Sequence, residues 1–212
     1  MSSLITPPRA VDGLLVLADI GGYTGFLGSV TAAHRDDAFA DGRVPDAYAL
    51  VSSLLDGIVG RTVPPFTLSK LEGDAVFVYA VDGDAFPRGD AFLACLQDCY
   101  ADFQGRLASA GVIWSCRCDA CARISTLDLK FVVHAGPFVI QSIAGREELV
   151  GSEVVLAHRL LKSGAAEAVG STAYALITES AARRVDLPTH GAVPLTEHVD
   201  HYEPVGAHVF GL

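Results

Sequence analysis

Long apolar runs are missing from this chain: those present, such as Leu14–Ala18 and Phe131–Val133, fall far short of the roughly 20 residues that cross a bilayer. The opening stretch, Met1 to Arg9, is polar, holds Pro7 and Pro8, and lacks the basic-then-apolar order of a signal peptide, so a cytoplasmic location is expected. Positive charge is also scarce. Fifteen Lys and Arg stand against 25 Asp and Glu, a formal net charge of -10. No basic face is advertised, so neither nucleic acid nor an anionic membrane surface is expected as a partner. An anionic ligand would have to be brought in with divalent cations. Cysteine is sparse: Cys95, Cys99, Cys116, Cys118 and Cys121. With no secretory signal these read as reduced thiols or metal ligands, not as a disulfide framework. Charged residues make up only 19% of the chain and hydrophobic ones 50%, which excludes a disordered segment and leaves a compact domain.

What is present orders itself as follows. Leu14–Ile20 is a short apolar run ending at Gly21-Gly22, which reads as a buried strand entering a tight turn. Ala47, Leu50, Val51, Leu54, Leu55 and Ile58 repeat at helical spacing behind Pro45, in a first-turn position. Phe66–Leu71 and Ala75–Val81, broken by Glu72-Gly73-Asp74, read as a hairpin. A helix is expected over Ala91–Leu107, then an irregular thiol-rich stretch over Cys116–Ser125. Leu127–Ala135 and Phe138–Ile143 read as strands joined at Gly136-Pro137, followed by helices over Val154–Leu161 and Thr178–Val185 and two strands around Pro204-Val205-Gly206. There is no repeat and no linker, so residues 1–212 are read as one domain: a core of about 13–165, a cysteine-rich insertion at 114–125, and a C-terminal helix and strand pair over 172–212. The fold class is α+β, a ferredoxin-like βαββαβ sandwich with an antiparallel-rich sheet and helices on one face.

Two carboxylates stand out. Asp19 closes a strand before a diglycine, and Asp74 sits at a hairpin tip; such positions are where a rigid scaffold presents reactive groups. If the strands are neighbours, both could converge on Mg2+ or Mn2+, which favour hard oxygen ligands. The glycines behind Asp19 would let backbone N–H groups approach a phosphate. The plainer reading is that both are ordinary turn aspartates.

The neighbouring residues favour the sharper reading. Asp19-Ile-Gly-Gly-Tyr-Thr24, Lys70-Leu-Glu-Gly-Asp74, Val133-His-Ala-Gly136 and Gly151-Ser-Glu-Val-Val-Leu-Ala-His-Arg-Leu160 follow one another in the order found in class III adenylyl and guanylyl cyclases, and the chain resembles that family. The resemblance implies metal binding by Asp19, Ile20 and Asp74, and triphosphate contacts from Gly21, Gly22, Tyr23 and Thr24. It implies a charge-stabilising Arg159, and base recognition by Lys70 and Glu148 that suits ATP better than GTP. It also implies a homodimer with the site at its interface and conversion of ATP to cyclic AMP and pyrophosphate. One position departs from the pattern. Val155 stands where the family carries an asparagine four residues before the arginine, so an orienting hydrogen bond is lost. A module that binds nucleotide but turns over little is the alternative.

Cys116-Arg-Cys-Asp-Ala-Cys121 is not a general cyclase feature and resembles an insertion in a small bacterial cyclase-like family. Three thiols within six residues can curl around one soft metal, structural Zn2+ being the usual occupant, with Cys95 or Cys99 as the fourth ligand. A redox role, and for Cys95 and Cys99 simple core packing, stay open. His134 reads as a packed histidine, and His198 and His201, in a strand-like tail, do not make a metal pair. His34, Asp36 and Asp37 read as a solvated loop, and Trp114 as a packing anchor for the thiol-rich segment.

Overall fold

The structure, a computed structural model, describes residues 7–36, 42, 44–113 and 116–212; Asp37 and Trp114 lie outside them. A strand β1 (Arg9–Gly21) leads through helices α1 (Tyr23–Ala33) and α2 (Asp46–Thr62) into the hairpin β2 (Thr67–Glu72) and β3 (Ala75–Val81). Helix α3 (Asp90–Ile113), a short helix α4 (Asp119–Ala122) and a 3-10 turn (Arg123–Thr126) return the chain to β4 (Asp128–Ile143). Then come β5 (Arg146–Val150), α5 (Ser152–Leu160), α6 (Ala165–Val169), β6 (Tyr174–Thr178), α7 (Glu179–Arg184), β7 (Val193–Glu197) and β8 (Val205–Gly211).

The strand order is β2-β3-β1-β4-β6-β8-β7, with β5 paired to β4. Its first four strands reproduce the βαββαβ order of the ferredoxin-like parent, and the sheet is antiparallel apart from the β4–β6 pair. That parallel pair needs a crossover, which α5 and α6 provide. The α+β class with an antiparallel-rich sheet is as the sequence indicates.

The helices, however, cover both faces, which corrects the one-faced expectation. The cause lies in β1 and β3, whose apolar runs are continuous, not alternating. Leu14, Val16, Ala18 and Ile20 enter one core with residues of α1, α2, α3 and α7. Leu15 and Leu17 point the other way, into a second core with Val154, Leu156, Ala157 and Leu160 of α5 and Ala165 of α6. Leu14 to Leu17 are all completely buried, worth about 2 kcal/mol for each leucine.

Two strand expectations also change. Gly136-Pro137 is not a turn: β4 runs through it in register with β1, Gly136 opposite Gly13 and Pro137 opposite Asp12. The hairpin lies further on, at Ala144-Gly145, both with positive φ. On its other side β4 pairs with β6 only over Lys130–Val133 and with β5 only from Val139, so at Pro137 that side has no strand to miss a proline's N–H. Strand β6, five residues all buried, is an element beyond those the sequence pattern indicates.

Helix α1 is intrinsically weak. It holds Gly25 and Gly28, each costing about 1 kcal/mol relative to alanine, and has no side-chain N-cap. Only Phe26 and Val30 are buried from it.

Candidate active site

Strand β1 delivers Asp19 to the end of the sheet opposite Ala75, and the Ile20 N–H donates to the Asp74 carbonyl at 3.1 Å. Asp19 and Asp74 are therefore brought together, as the sequence motifs require. Burial raises the Asp74 carboxyl above its ordinary value, and the charge of Asp19 raises it further. Tyr23 is raised as well, by burial and by Asp74. The Ile20 side chain is buried in the core, so its backbone oxygen is the only ligand it has to offer. A partner that the motifs did not reveal is Lys130, opposite Asp19 on β4, with its ammonium 3.1 Å from the carboxylate. It also donates to the Leu161 carbonyl at 3.2 Å.

Directly after Asp19 the chain turns into α1. Gly22 takes the left-handed conformation, φ 80, and a Cβ there would come within 3.3 Å of the Thr126 carbonyl, so glycine is required. No side chain caps the helix, so the N–H groups of its first turn, Tyr23 and Thr24 among them, have no intrahelical partner at its positive end, where an anion is favoured. Two neighbouring carboxylates and one nearby lysine leave excess negative charge, a donor set that fits a hard divalent cation.

A second set of groups forms where the β4–β5 hairpin reaches the β2–β3 hairpin. Lys70 lies 3.2 Å from Glu148 and 3.1 Å from Glu72, and these carboxylates hold its ammonium above the usual lysine value against the opposing pull of burial. His158 of α5 meets Glu72 at 2.7 Å, and the Tyr79 hydroxyl donates to Glu147 at 2.7 Å. Arg159, next on α5, donates to the Asp200 carbonyl at 2.9 Å and lies over the Tyr202 ring, 5.9 Å from its centroid. Tyr202 in turn donates to the Ser152 carbonyl at 2.9 Å, so the C-terminal segment straps α5. Val155 is 48% exposed on the same helix. Among the described residues no hydrogen bond or ion pair joins this set to Asp19 and Asp74. A groove of about 930 Å³ lies elsewhere, between α2 and α3, lined by Leu50, Ser53, Asp102 and Arg106, and contains none of these groups.

His134 is a packed histidine, bonded to Thr178 at 3.1 Å and Glu153 at 2.8 Å and lowered by burial. His198 and His201 flank a turn after β7 and enter no cluster of metal-ligating groups among the described residues.

The thiols divide. Cys116, Cys118 and Cys121 converge, but the fourth group beside them is His34 at the C-terminus of α1, not Cys95 or Cys99. The loop reading of His34 is thereby corrected, as is the expectation of a ligand from α3. Cys99 is buried in the main core, where it is a packing residue of α3, and burial pushes its thiol up to about 12; burial raises the half-buried Cys95 too, and neither belongs to the cluster. The Cys121 N–H donates to Cys118 and draws that thiol well below its usual value.

The fold is that of class III nucleotidyl cyclase domains. The adenylyl cyclase CyaB from P. aeruginosa superposes with a TM-score of 0.66 over 98% of this chain and 97% of its own, at 14% identity. The guanylyl cyclase Cya2 gives 0.63 over 99% and 95%, at 16% identity. A class III adenylyl cyclase-like ATP-binding protein from Pseudomonas aeruginosa gives 0.55 over 85% of this chain and 36% of its own, at 16% identity. At such identities the likeness is one of fold. By sequence, the chain belongs to the family described as protein of unknown function DUF2652, which matches residues 51–168. An uncharacterized protein of Mycobacterium tuberculosis, Rv2561/Rv2562, is 29% identical over 166 residues, 77% of this chain and 72% of that protein. Among the described residues no helix is long and apolar enough to cross a membrane.

Proposed function

We propose that this chain is a cytoplasmic class III cyclase that converts ATP to cyclic AMP and pyrophosphate as a homodimer. The observation that carries the reading is the convergence of Asp19 and Asp74 beside the uncapped start of α1. The two carboxylates, with the Ile20 carbonyl, would hold Mg2+ or Mn2+. Bound there, the cations would activate the ribose 3′-hydroxyl and neutralise the triphosphate. The first-turn N–H groups of Tyr23 and Thr24, made accessible by Gly21 and Gly22, receive phosphate oxygens. Lys70 donates to adenine N1 and Glu148 accepts from the N6 amine, which favours ATP over GTP. Arg159 stabilises charge on the α-phosphate and the departing pyrophosphate. The reaction joins the 3′-oxygen to the α-phosphorus, breaks the bond to pyrophosphate and releases the hydroxyl proton.

The dimer follows from the division of the site. Among the described residues no hydrogen bond or ion pair joins the carboxylates to the Lys70–Glu148 pair, and a second copy would complete each site. The elements that carry Lys70, Glu148 and Arg159 also expose Leu71, Val150 and Val155, apolar side chains that such an interface would cover. The free thiols suit a reducing cytoplasm.

Purified protein with ATP and Mn2+ should release cyclic AMP, and Asp19→Ala or Asp74→Ala should abolish the release. Undiminished product from both variants would overturn the assignment. Val155 favours a second reading, a domain that binds nucleotide with little turnover, because its apolar side chain stands exposed where the family's asparagine orients the ribose. Calorimetry would then record metal-dependent ATP binding without product.

A further inference from the structure

We infer that His34, Cys116, Cys118 and Cys121 form a tetrahedral zinc site that fastens the C-terminal end of α1 to the segment leading into β4. The four ligand atoms all lie within 4.8 Å of one another. His34 Nε2 is 3.3 Å from Cys121 Sγ, 3.4 Å from Cys118 Sγ and 3.7 Å from Cys116 Sγ. One ring nitrogen carries either a single hydrogen or a single lone pair, so it cannot make three hydrogen bonds at once. A cation among the four atoms satisfies them all. Zinc bonds of about 2.3 Å to sulfur and about 2.0–2.1 Å to nitrogen set the N···S edge of a tetrahedron at about 3.5 Å. The three observed separations bracket that length.

Other features fit the same assignment. All three thiols are free, so none is consumed in a disulfide. Cys118 caps α4 and receives the Cys121 N–H at 3.4 Å, a contact that stabilises a metal-bound thiolate. A set of one imidazole and three thiolates is soft, closed and without a carboxylate, which selects zinc over magnesium or manganese and gives it a structural role.

The site also supplies what α1 lacks. That helix is short, carries two glycines and fully buries only two side chains, so a metal at its end adds to a thin hold. Its N-terminus forms the turn after Asp19, and its C-terminus presents His34 about 16 Å away. Zinc at the far end anchors the helix from which that turn is built. The site rests on its own contacts and holds whether or not nucleotide is turned over at Asp19 and Asp74.

The full chain, purified without chelator, should contain one zinc per molecule. Exchange into cobalt should produce the thiolate-to-cobalt charge-transfer band and the intense visible bands of a tetrahedral ion. In competition with a chromogenic chelator, His34→Ala should bind zinc more than about a hundredfold more weakly, beyond the usual cost of losing a partner that only orients a ligand. Cys95→Ser should bind as wild type does. Folded protein that holds no zinc and gives no tetrahedral cobalt spectrum would overturn the site, as would iron in its place or a His34→Ala variant with wild-type affinity. If Cys118→Ser does not fold, His34→Ala decides, because it leaves every thiol in place.

Discussion

Lys130 stands directly across the β1–β4 ladder from Asp19, and its ammonium lies 3.1 Å from the carboxylate. Both groups are half-buried, and the lysine occupies part of the charge field a divalent cation would use. It also tempers Asp74, whose raised carboxyl it draws back toward the ordinary value. Removing Lys130 removes a competitor. A partly exposed pair of this kind contributes up to about 1 kcal/mol, so Lys130→Met should tighten Mn2+ binding by roughly fivefold. Calorimetric titration of the nucleotide-free protein measures this directly, and weaker binding would make Lys130 a helper of the cation instead.

The environment of Asp74 sets a pH dependence. Burial first, then Asp19, raises its carboxyl in the folded chain, so the native state keeps this proton where the unfolded chain has lost it. Its favourable contribution is complete below the usual carboxylate value and is lost as pH rises through the raised one. At neutral pH Asp74 is thus a burden in the metal-free protein. Asp74→Asn should raise the metal-free Tm at pH 7, and the gap should narrow as pH falls toward 4. Adding Mn2+ should raise the Tm of wild type and leave that of Asp74→Asn unchanged. Thermal melts from pH 4 to 8, with and without Mn2+, test both points.

The sequence carried much of this, for physical reasons that also set its limits. Ala75–Val81 is a continuous apolar run between turn residues, and it forms β3 with those bounds. Asp19 and Asp74 were legible because each sits at a strand end inside a local motif. Lys130 was not, since only the β1–β4 register places it opposite Asp19. His34 was hidden by distance along the chain, 82 residues before Cys116, in a segment with no pattern of its own. Pro137 misled for a different cause: proline usually ends a strand, but at that residue β4 pairs with β1 alone, between the stretches that meet β6 and β5. The two-sided cover of the sheet could have been read from Leu14–Leu17, whose lack of alternation is the mark of a strand buried on both faces.

Lys70 is shared between Glu72 and Glu148, and Glu72 is held in turn by His158. In the proposed reaction its ammonium faces the base and not the reacting phosphate. Lys70→Met should therefore act on binding more than on chemistry. A charged hydrogen bond is worth about 2 kcal/mol, so KM for ATP should rise roughly thirtyfold while kcat changes little. Stability should fall by no more than about 1 kcal/mol, because the ion pairs are partly exposed. Steady-state kinetics with ATP and GTP measure the effect, and an equal fall in kcat at unchanged KM would remove Lys70 from base recognition.

Val155 lies one helical turn before Arg159, so both side chains share a face of α5. A branched apolar group, 48% exposed, contributes almost nothing to folding there and offers no hydrogen bond to a ribose or a phosphate. Replacing it with asparagine leaves the core untouched, and the change in stability should stay within about 0.5 kcal/mol. The amide would gain the orienting contact that the family's pattern provides. One such preorganised group is worth on the order of a hundredfold in kcat, with KM for ATP nearly constant. Cyclic AMP release by Val155→Asn in Mn2+ reads this out, and adding Asp19→Ala should return the rate to background. A rate equal to wild type would mean that the missing amide is not what limits turnover, and attention would shift to how Tyr202 and the Asp200 carbonyl hold Arg159.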